Sequence, residues 1–246
     1  MRYISDIHLV KPIAETSYLA VIPAIQAFAQ RKNLPFTADV TFFVGENGSG
    51  KSTLLEAIAS HMALNLEGGN RNFHFSTYHK EAPLADYTTL SKIAYPKEDF
   101  FFKAESFFNA ASYIEDIQAD AYGHYGERPL HDQSHGEGFL ALLKNRFRGK
   151  GLYLLDEPES ALSPTSQFAL LAEIHTLVRK KSQFIIATHS PILLAYPNAL
   201  IYELSSQGIC ETTFQNTQMV NLYKDFLDAP ERFLNHLFQD DTAPHC

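Results

Sequence analysis

Apolar residues concentrate in short, nearly unbroken runs, each followed at once by polar or charged residues. They are VTFFV at 40–44, FFF at 100–102 within the segment Asp99–Glu105, GLYLL at 151–155 and QFIIA at 183–187. Runs of that length and purity predict strands buried on both faces. Between them the apolar positions recur at helical spacing: Leu54, Leu55, Ile58 and Met62; Phe139, Leu142, Leu143 and Phe147; Phe168, Leu171, Ile174 and Val178. Strands alternating with helices predict an α/β domain with a mainly parallel sheet and right-handed crossovers. In such a sheet, chemistry belongs at the C-terminal ends of the strands.

The rest of the pattern is weaker. Residues 2–10 read as an edge or meander strand. Residues 17–31 read as a helix whose start is marked by Pro23, because proline suits the first helical turn. Asn33–Asp39 reads as a loop, GGNRN at 68–72 as a turn and FHFSTY at 73–78 as a strand. Residues 80–98 read as loop with one short helix, 106–120 as a helix and 122–133 as a loop. Ser163 before Pro164, and Ser190 before Pro191, have the form of helix N-caps. Two final strands, 199–204 and 209–214, precede a helical tail from 219 to 238 broken near Pro230.

The run at 40–44 leads directly into GENGSGKST, residues 45–53. Gly45, Gly48, Gly50, Lys51 and Ser52 satisfy the spacing of a phosphate-binding loop. Glycines let the backbone curl so that its N–H groups converge on phosphate oxygens. The helix start adds free N–H groups and partial positive charge. Lys51 can reach the β- and γ-phosphates, and the Ser52 hydroxyl can bind Mg²⁺. Glu46, Asn47, Ser49 and Thr53 complete the candidate nucleotide-binding segment. Asp156 and Glu157 follow GLYLL, and His189 follows QFIIA, so all three join the loop on one rim of the sheet. Asp156 is placed to hold Mg²⁺. Glu157, one residue on, is free to deprotonate a water, and His189 can touch that water or the γ-phosphate.

Composition narrows the setting. The 246 residues are 45% hydrophobic and 20% charged, enough for a large core. The net charge of −8 gives no broad footprint for nucleic acid. Asn145–Lys150 (NRFRGK) is the best candidate for a local basic groove, and it reads more readily as a solvated helix end with cations near its C-terminus. Two cysteines, Cys210 and Cys246, cannot build a disulfide framework, which fits a reducing, cytoplasmic compartment. No 18-residue apolar run is present, so no transmembrane segment is expected. Tyr18, well upstream of the phosphate loop, could stack on adenine or simply pack. His131 and His135, four apart, could share a metal if helical.

In order along the chain stand GENGSGKS (45–52), SHGEG (134–138), YLLDEPE (153–159), SALSP (160–164) and ATHSP (187–191). This succession resembles the ATP-binding cassette (ABC) ATPases, and more narrowly the compact AAA-type ATPases without a permease, over about residues 2–215. The resemblance implies a P-loop NTPase of ABC-ATPase type, one domain over 1–246. Its mainly parallel central sheet would carry flanking helices, N-terminal antiparallel strands, a small helical subdomain at about 106–150 and a helical tail at 219–246. It implies ATP and Mg²⁺ as ligands, Glu157, His189 and Lys51 as catalytic groups, and a head-to-tail, ATP-dependent homodimer. In that dimer Ser134, Gly136 and Glu137 of one subunit would meet the phosphate held by Lys51 of the other.

Departures from the family pattern are informative. His135 and Glu137 replace residues of the usual LSGGQ signature, a form closer to DNA-repair and chromosome-maintenance members than to transporters. No glutamine lies between Lys51 and residue 117, so the family's glutamine loop is absent in its usual form, and Glu105 is the candidate substitute at the metal. The reading that results is a soluble Mg²⁺-dependent ATPase. The alternatives are the ATP-binding subunit of a transporter and an ATP-gated switch for a nuclease or other nucleic-acid-processing partner.

Overall fold

A computed structural model describes residues 1–71, 81–106 and 135–238 of the chain. Its centre is a six-stranded sheet in the order β5–β6–β7–β3–β8–β9. The strands are β3 (Val40–Gly45), β5 (Glu98–Lys103), β6 (Gly151–Asp156), β7 (Gln183–Ala187), β8 (Leu200–Ser205) and β9 (Gly208–Thr212). All pairings are parallel except β8 with β9. A second, antiparallel sheet of three strands holds β1 (Ile4–Leu9) between β2 (Asn33–Pro35) and β4 (Thr88–Lys92).

Alternation along the buried strands splits the apolar residues between two cores. Phe43, Leu152, Leu154, Ile185 and Tyr202 face the three-stranded sheet and the helices Pro23–Arg31 and Lys51–His61. Phe42, Val44, Tyr153, Leu155, Phe184 and Ile186 face the other way, toward the helices His135–Arg146 and Pro164–Arg179. With both faces covered, the interior strands have no polar side, which is why their sequences are continuous apolar runs. Gln183 joins the two sheets. Its buried carboxamide oxygen accepts from the Tyr3 and Ile4 amides at 2.7 and 3.1 Å, and its nitrogen donates to the Ile4 carbonyl at 3.0 Å.

Several sequence expectations change. β1 is the middle strand of its sheet, not an edge. Asn33–Pro35 pairs with it as a strand where a loop was expected, with Pro35 closing a run of three residues. Thr88–Lys92 is likewise a strand, following a 3-10 turn at Pro83–Tyr87. Residues 17–31 divide into a 3-10 turn (Tyr18–Val21) and an α-helix that begins at Pro23. The helix at 164–179 buries Gln167, Leu170, Ile174 and Leu177, so its inner face is turned one residue from the expected one, and Phe168 is 60% exposed. The expected elements at 73–78, 107–120 and 122–133 lie outside the described residues.

Candidate nucleotide-binding and hydrolytic site

The turn from β3 into its helix requires glycine at two places. Gly45 approaches β8 so closely that a Cβ would come within 2.1 Å of the Leu204 carbonyl oxygen. Gly50 has φ +104, a left-handed value that side chains adopt only at a cost. It also leaves room for Ile22 and Ile25, which wedge under the loop. Lys51 folds back across the turn, donating to the carbonyls of Gly45 and Glu46 at 2.8 and 3.1 Å. The Ser49 hydroxyl oxygen is buried and without a hydrogen-bond partner.

β6 runs next to β7 and one strand away from β3, which brings Asp156 over the first turn of the loop's helix. The Ser52 hydroxyl donates to Asp156 Oδ1 at 3.0 Å across 104 residues of sequence. Asp156 is 5% exposed. Burial pushes its pKa up to about 6, against the pull of Lys103 and the Ser52 hydrogen bond. Burial also lowers the pKa of Lys51, opposed by Glu157, Asp156 and Glu159.

Immediately after Asp156 the chain reverses through Glu157, a non-glycine residue at φ 49, ψ 50, before a 3-10 turn at Pro158–Ala161. Such a conformation is uncommon and strained. It is held by the Glu157 amide donating to the Ala187 carbonyl at 2.9 Å. Glu157 Oε1 lies 3.3 Å from His189 Nε2 without reaching hydrogen-bond geometry. The His189 pKa is lowered, first by burial and then by Lys51, so the ring is neutral at pH 7. Its backbone amide donates to Glu159. Ser190 holds the histidine loop, accepting from the Ile192 and Leu193 amides at 3.1 Å and donating to Gln167.

A cavity of about 510 Å³ opens beside Asp156, lined among others by Ser52, Glu56, Lys103, Glu105 and Glu157. Sequence reading missed two of these. Lys103 ends β5 opposite Asp156 in the parallel register, is 4% exposed, and pairs with Glu56 at 2.7 Å and Glu105 at 2.8 Å. Glu56 lies one helical turn after Ser52 and so faces the same cavity. The signal was present: FFFK and YLLD are two apolar runs ending in opposite charges. Glu105, the expected glutamine-loop substitute, stands at the cavity rim, 64% exposed and ion-paired with Lys103.

The signature segment is only partly in view. Ser134 lies outside the described residues, as do the side chains of His135 and Glu137 and all of His131. Gly136 opens the helix His135–Arg146 against the Pro158–Ala161 turn, and a Cβ there would meet the Ala161 carbonyl oxygen at 2.7 Å. Tyr18 sits in its 3-10 turn, 55% exposed and close enough to Glu56 to feel its charge.

Residues 70–195 match the family described as "AAA domain, putative AbiEii toxin, Type IV TA system". The chain belongs to this AAA-domain family. A second AAA-domain description matches residues 22–95 of this family member. The AAA-domain assignment agrees with the expected P-loop α/β fold. Among solved structures, the chain is similar to an ATP-binding cassette of an ABC transporter in its ADP conformation. Identity is 17% and TM-score 0.49, covering 91% of this chain and 99% of that one. It is also similar to the SMC head domain from Thermotoga maritima, with 14% identity and TM-score 0.45, covering 86% and 99%. No curated protein matches the chain. Among the described residues no helix is long and apolar enough to cross a membrane.

The site fits Mg²⁺. A hydroxyl, a buried carboxylate and the oxygens of a nucleotide are hard donors of the kind the ion takes. Among the described residues no three His, Cys, Asp or Glu side chains form a metal cluster by themselves.

Proposed function

We propose that this chain is a Mg²⁺-dependent ATPase that closes on ATP as a head-to-tail homodimer. The observation that carries the reading is the Ser52–Asp156 hydrogen bond at 3.0 Å beside a Lys51 folded onto its own loop. Those groups, far apart in sequence, meet at the end of β3 with the roles a nucleotide triphosphate needs filled. Lys51 exchanges the Gly45 and Glu46 carbonyls for phosphate oxygens, which regain for it the opposite charge that burial has made costly to lack. Ser52 and Asp156 would hold Mg²⁺, which neutralises charge developing on the phosphates. Glu157, part-exposed, accepts a proton from the attacking water, and neutral His189 orients that water or the γ-phosphate.

The dimer is part of the proposal because Gly136 and its helix start stand on a different surface element from the phosphate loop. A second subunit would present Ser134, Gly136 and Glu137, at a helix N-terminus, to the phosphate held by Lys51. Glu105 is assigned the rim of the metal cavity, acting with Lys103. Two cysteines, one of them Cys210, free and exposed, suit a reducing compartment such as the cytoplasm.

The test is turnover per subunit measured against protein concentration with Mg²⁺, for wild type and Glu157→Gln. The variant is expected to lose about 10²–10⁴-fold in turnover, the usual worth of a general base, or roughly 3–5 kcal/mol of barrier. It should keep ATP and accumulate as a dimer by light scattering. Wild-type turnover in the variant would remove Glu157 from the mechanism. A rate per subunit independent of concentration, from a monomer, would remove the dimer.

A further inference from the structure

We propose that the N-terminal end of the main sheet, opposite the nucleotide site, binds a single strand of nucleic acid. Three segments distant in sequence meet there: the turn before β5, the turn between the helix His135–Arg146 and β6, and the turn between the helix Pro164–Arg179 and β7. They bring together six exposed cations, Lys97, Arg148, Lys150, Arg179, Lys180 and Lys181, around a cavity of about 490 Å³. Lys97 and Arg148 also border a second cavity of about 490 Å³, which adds Arg71 and Arg146. Eight of the chain's 20 lysines and arginines therefore stand at one end of a molecule whose net charge is −8.

The arrangement is built rather than incidental. The Lys97 amide donates to the Lys150 carbonyl, and the Lys150 amide to the Lys180 carbonyl, both at 2.9 Å. Lys150 and Lys181 have φ values of 55 and 66, left-handed conformations in which lysine is strained. Gly149 makes the close approach possible: a Cβ there would lie 2.5 Å from Lys180 Cβ. Helix C-termini attract cations, which accounts for Arg146, Arg179 and Lys180. It does not account for Lys97, Lys150 and Lys181 being laced beside them. The acid at the centre, Glu98, is engaged by the Arg148 amide at 2.9 Å and the Tyr153 hydroxyl at 3.0 Å.

A second feature separates nucleic acid from other polyanions. Tyr95, two residues before Lys97 in the same turn, is 81% exposed. Tyr95 lines neither cavity, but an exposed ring in the same turn as a cation of the cluster is the pairing that single strands use, with bases stacking and phosphates neutralised. The aromatic rings that border the cavities, Phe100, Phe147 and Tyr153, are buried, which leaves Tyr95 as the exposed ring of this turn. That combination suits a strand read without sequence preference.

The test is fluorescence anisotropy of the full chain with labelled oligothymidylate of about 20 nucleotides, longer than the usual site. Affinity is expected to fall between 50 and 200 mM salt with a slope of about −0.7 per phosphate neutralised, and about −3 to −4 for the five or so contacts available. Tyr95→Ala should weaken binding by roughly fivefold or more. Replacing Lys97, Arg148 and Lys180 together by glutamine should weaken it at least about tenfold and flatten the slope. If the triple variant fails to fold, the wild-type slope and Tyr95→Ala decide. No binding at 50 mM salt, or tighter binding of duplex of equal length, overturns the proposal. So does inorganic polyphosphate competing as well as oligothymidylate while Tyr95→Ala binds like wild type. None of these outcomes depends on ATP hydrolysis, so the site stands or falls separately from the ATPase reading.

Discussion

The two ends of the parallel sheet treat charge in opposite ways. At the C-terminal ends of β3, β5 and β6, Lys51, Lys103 and Asp156 are only 4–5% exposed. Lys51 donates to the carbonyls of its own loop, Lys103 pairs with Glu56 and Glu105, and Asp156 accepts from Ser52. At the N-terminal ends of β5, β6 and β7, six exposed cations surround Glu98, while the neighbouring Asp99 is buried and paired with Arg71. The topology supplies part of the cause. In a strand–helix–strand unit each helix begins near the rim where its strand ends, offering N–H groups to anions, and finishes near the opposite rim, where carbonyls favour cations. Burial then decides what each end can do. Buried charges must be matched and so are held in place, which suits positioning a reaction. Exposed charges are individually weak and act by number, which suits gripping a long ligand.

Lys103 gives the largest expected break in that contrast. Lys103→Met leaves buried Asp156 without the cation that most lowers its pKa, and Glu56 without its ion-pair partner. Breaking a buried pair from one side costs about 3–5 kcal/mol, and the unfolding free energy at pH 7 should fall by that order. Adding Asp156→Asn should recover much of the loss, because the stranded charge is gone. Urea unfolding of the single and double variants measures this. An unchanged midpoint in Lys103→Met would show that the cavity is wet enough to solvate its acids without the lysine.

Asp156 gives the next. Its folded pKa, about 6, lies above the usual 3.8, so the folded state holds its proton more tightly than the unfolded chain does. Stability from this group is therefore fully present below about pH 4 and lost as pH rises through 6. At pH 7 the ionised carboxylate costs about 3 kcal/mol, from about two pKa units at 1.36 kcal/mol each. The difference in unfolding free energy between wild type and Asp156→Asn should grow against wild type from pH 4 to pH 7 without Mg²⁺. It should shrink when Mg²⁺ and nucleotide supply positive charge. A pH-independent difference would mean that Lys103 and Ser52 already offset the burial in full.

How much of this was readable beforehand also divides along the sheet. The C-terminal rim was legible because its groups come in contiguous motifs, each directly after an apolar run: GENGSGKST, DEPE and THSP. What stayed hidden there was Lys103, whose meaning depends on β5 pairing with β6 in a register no local pattern states. The N-terminal end was almost illegible. Arg148 and Lys150 sat in a stretch readable as an ordinary helix end, and Lys97 and Lys181 carry no motif at all. Their grouping is a product of crossovers, not of sequence neighbourhood. The same limit explains the short strands β2 and β4, whose partners lie far away in the chain. It explains Phe168 too: Gln167 takes an inward position because it bonds Ser190 and the Leu162 carbonyl, turning the helix by one residue.

Lys180 gives the smallest effect and the sharpest contrast with Lys103. Both are lysines near the end of a regular element, and a charge count would treat them alike. Lys180 is exposed, at the C-cap of the helix Pro164–Arg179, where its favourable term is the helix dipole, worth about 0.3–1 kcal/mol. Crowding by the neighbouring cations of the cluster opposes that term. Lys180→Gln should therefore shift the unfolding free energy by less than about 0.5 kcal/mol, and by still less at high salt, where both terms are screened. A stabilisation that vanishes with added salt would show that mutual repulsion outweighs the dipole. The cluster would then be held against its own charge by the Lys97–Lys150–Lys180 backbone bonds. A loss as large as that expected for Lys103→Met would mean instead that the cations at this end are structural, and that the two ends of the sheet do not differ in kind.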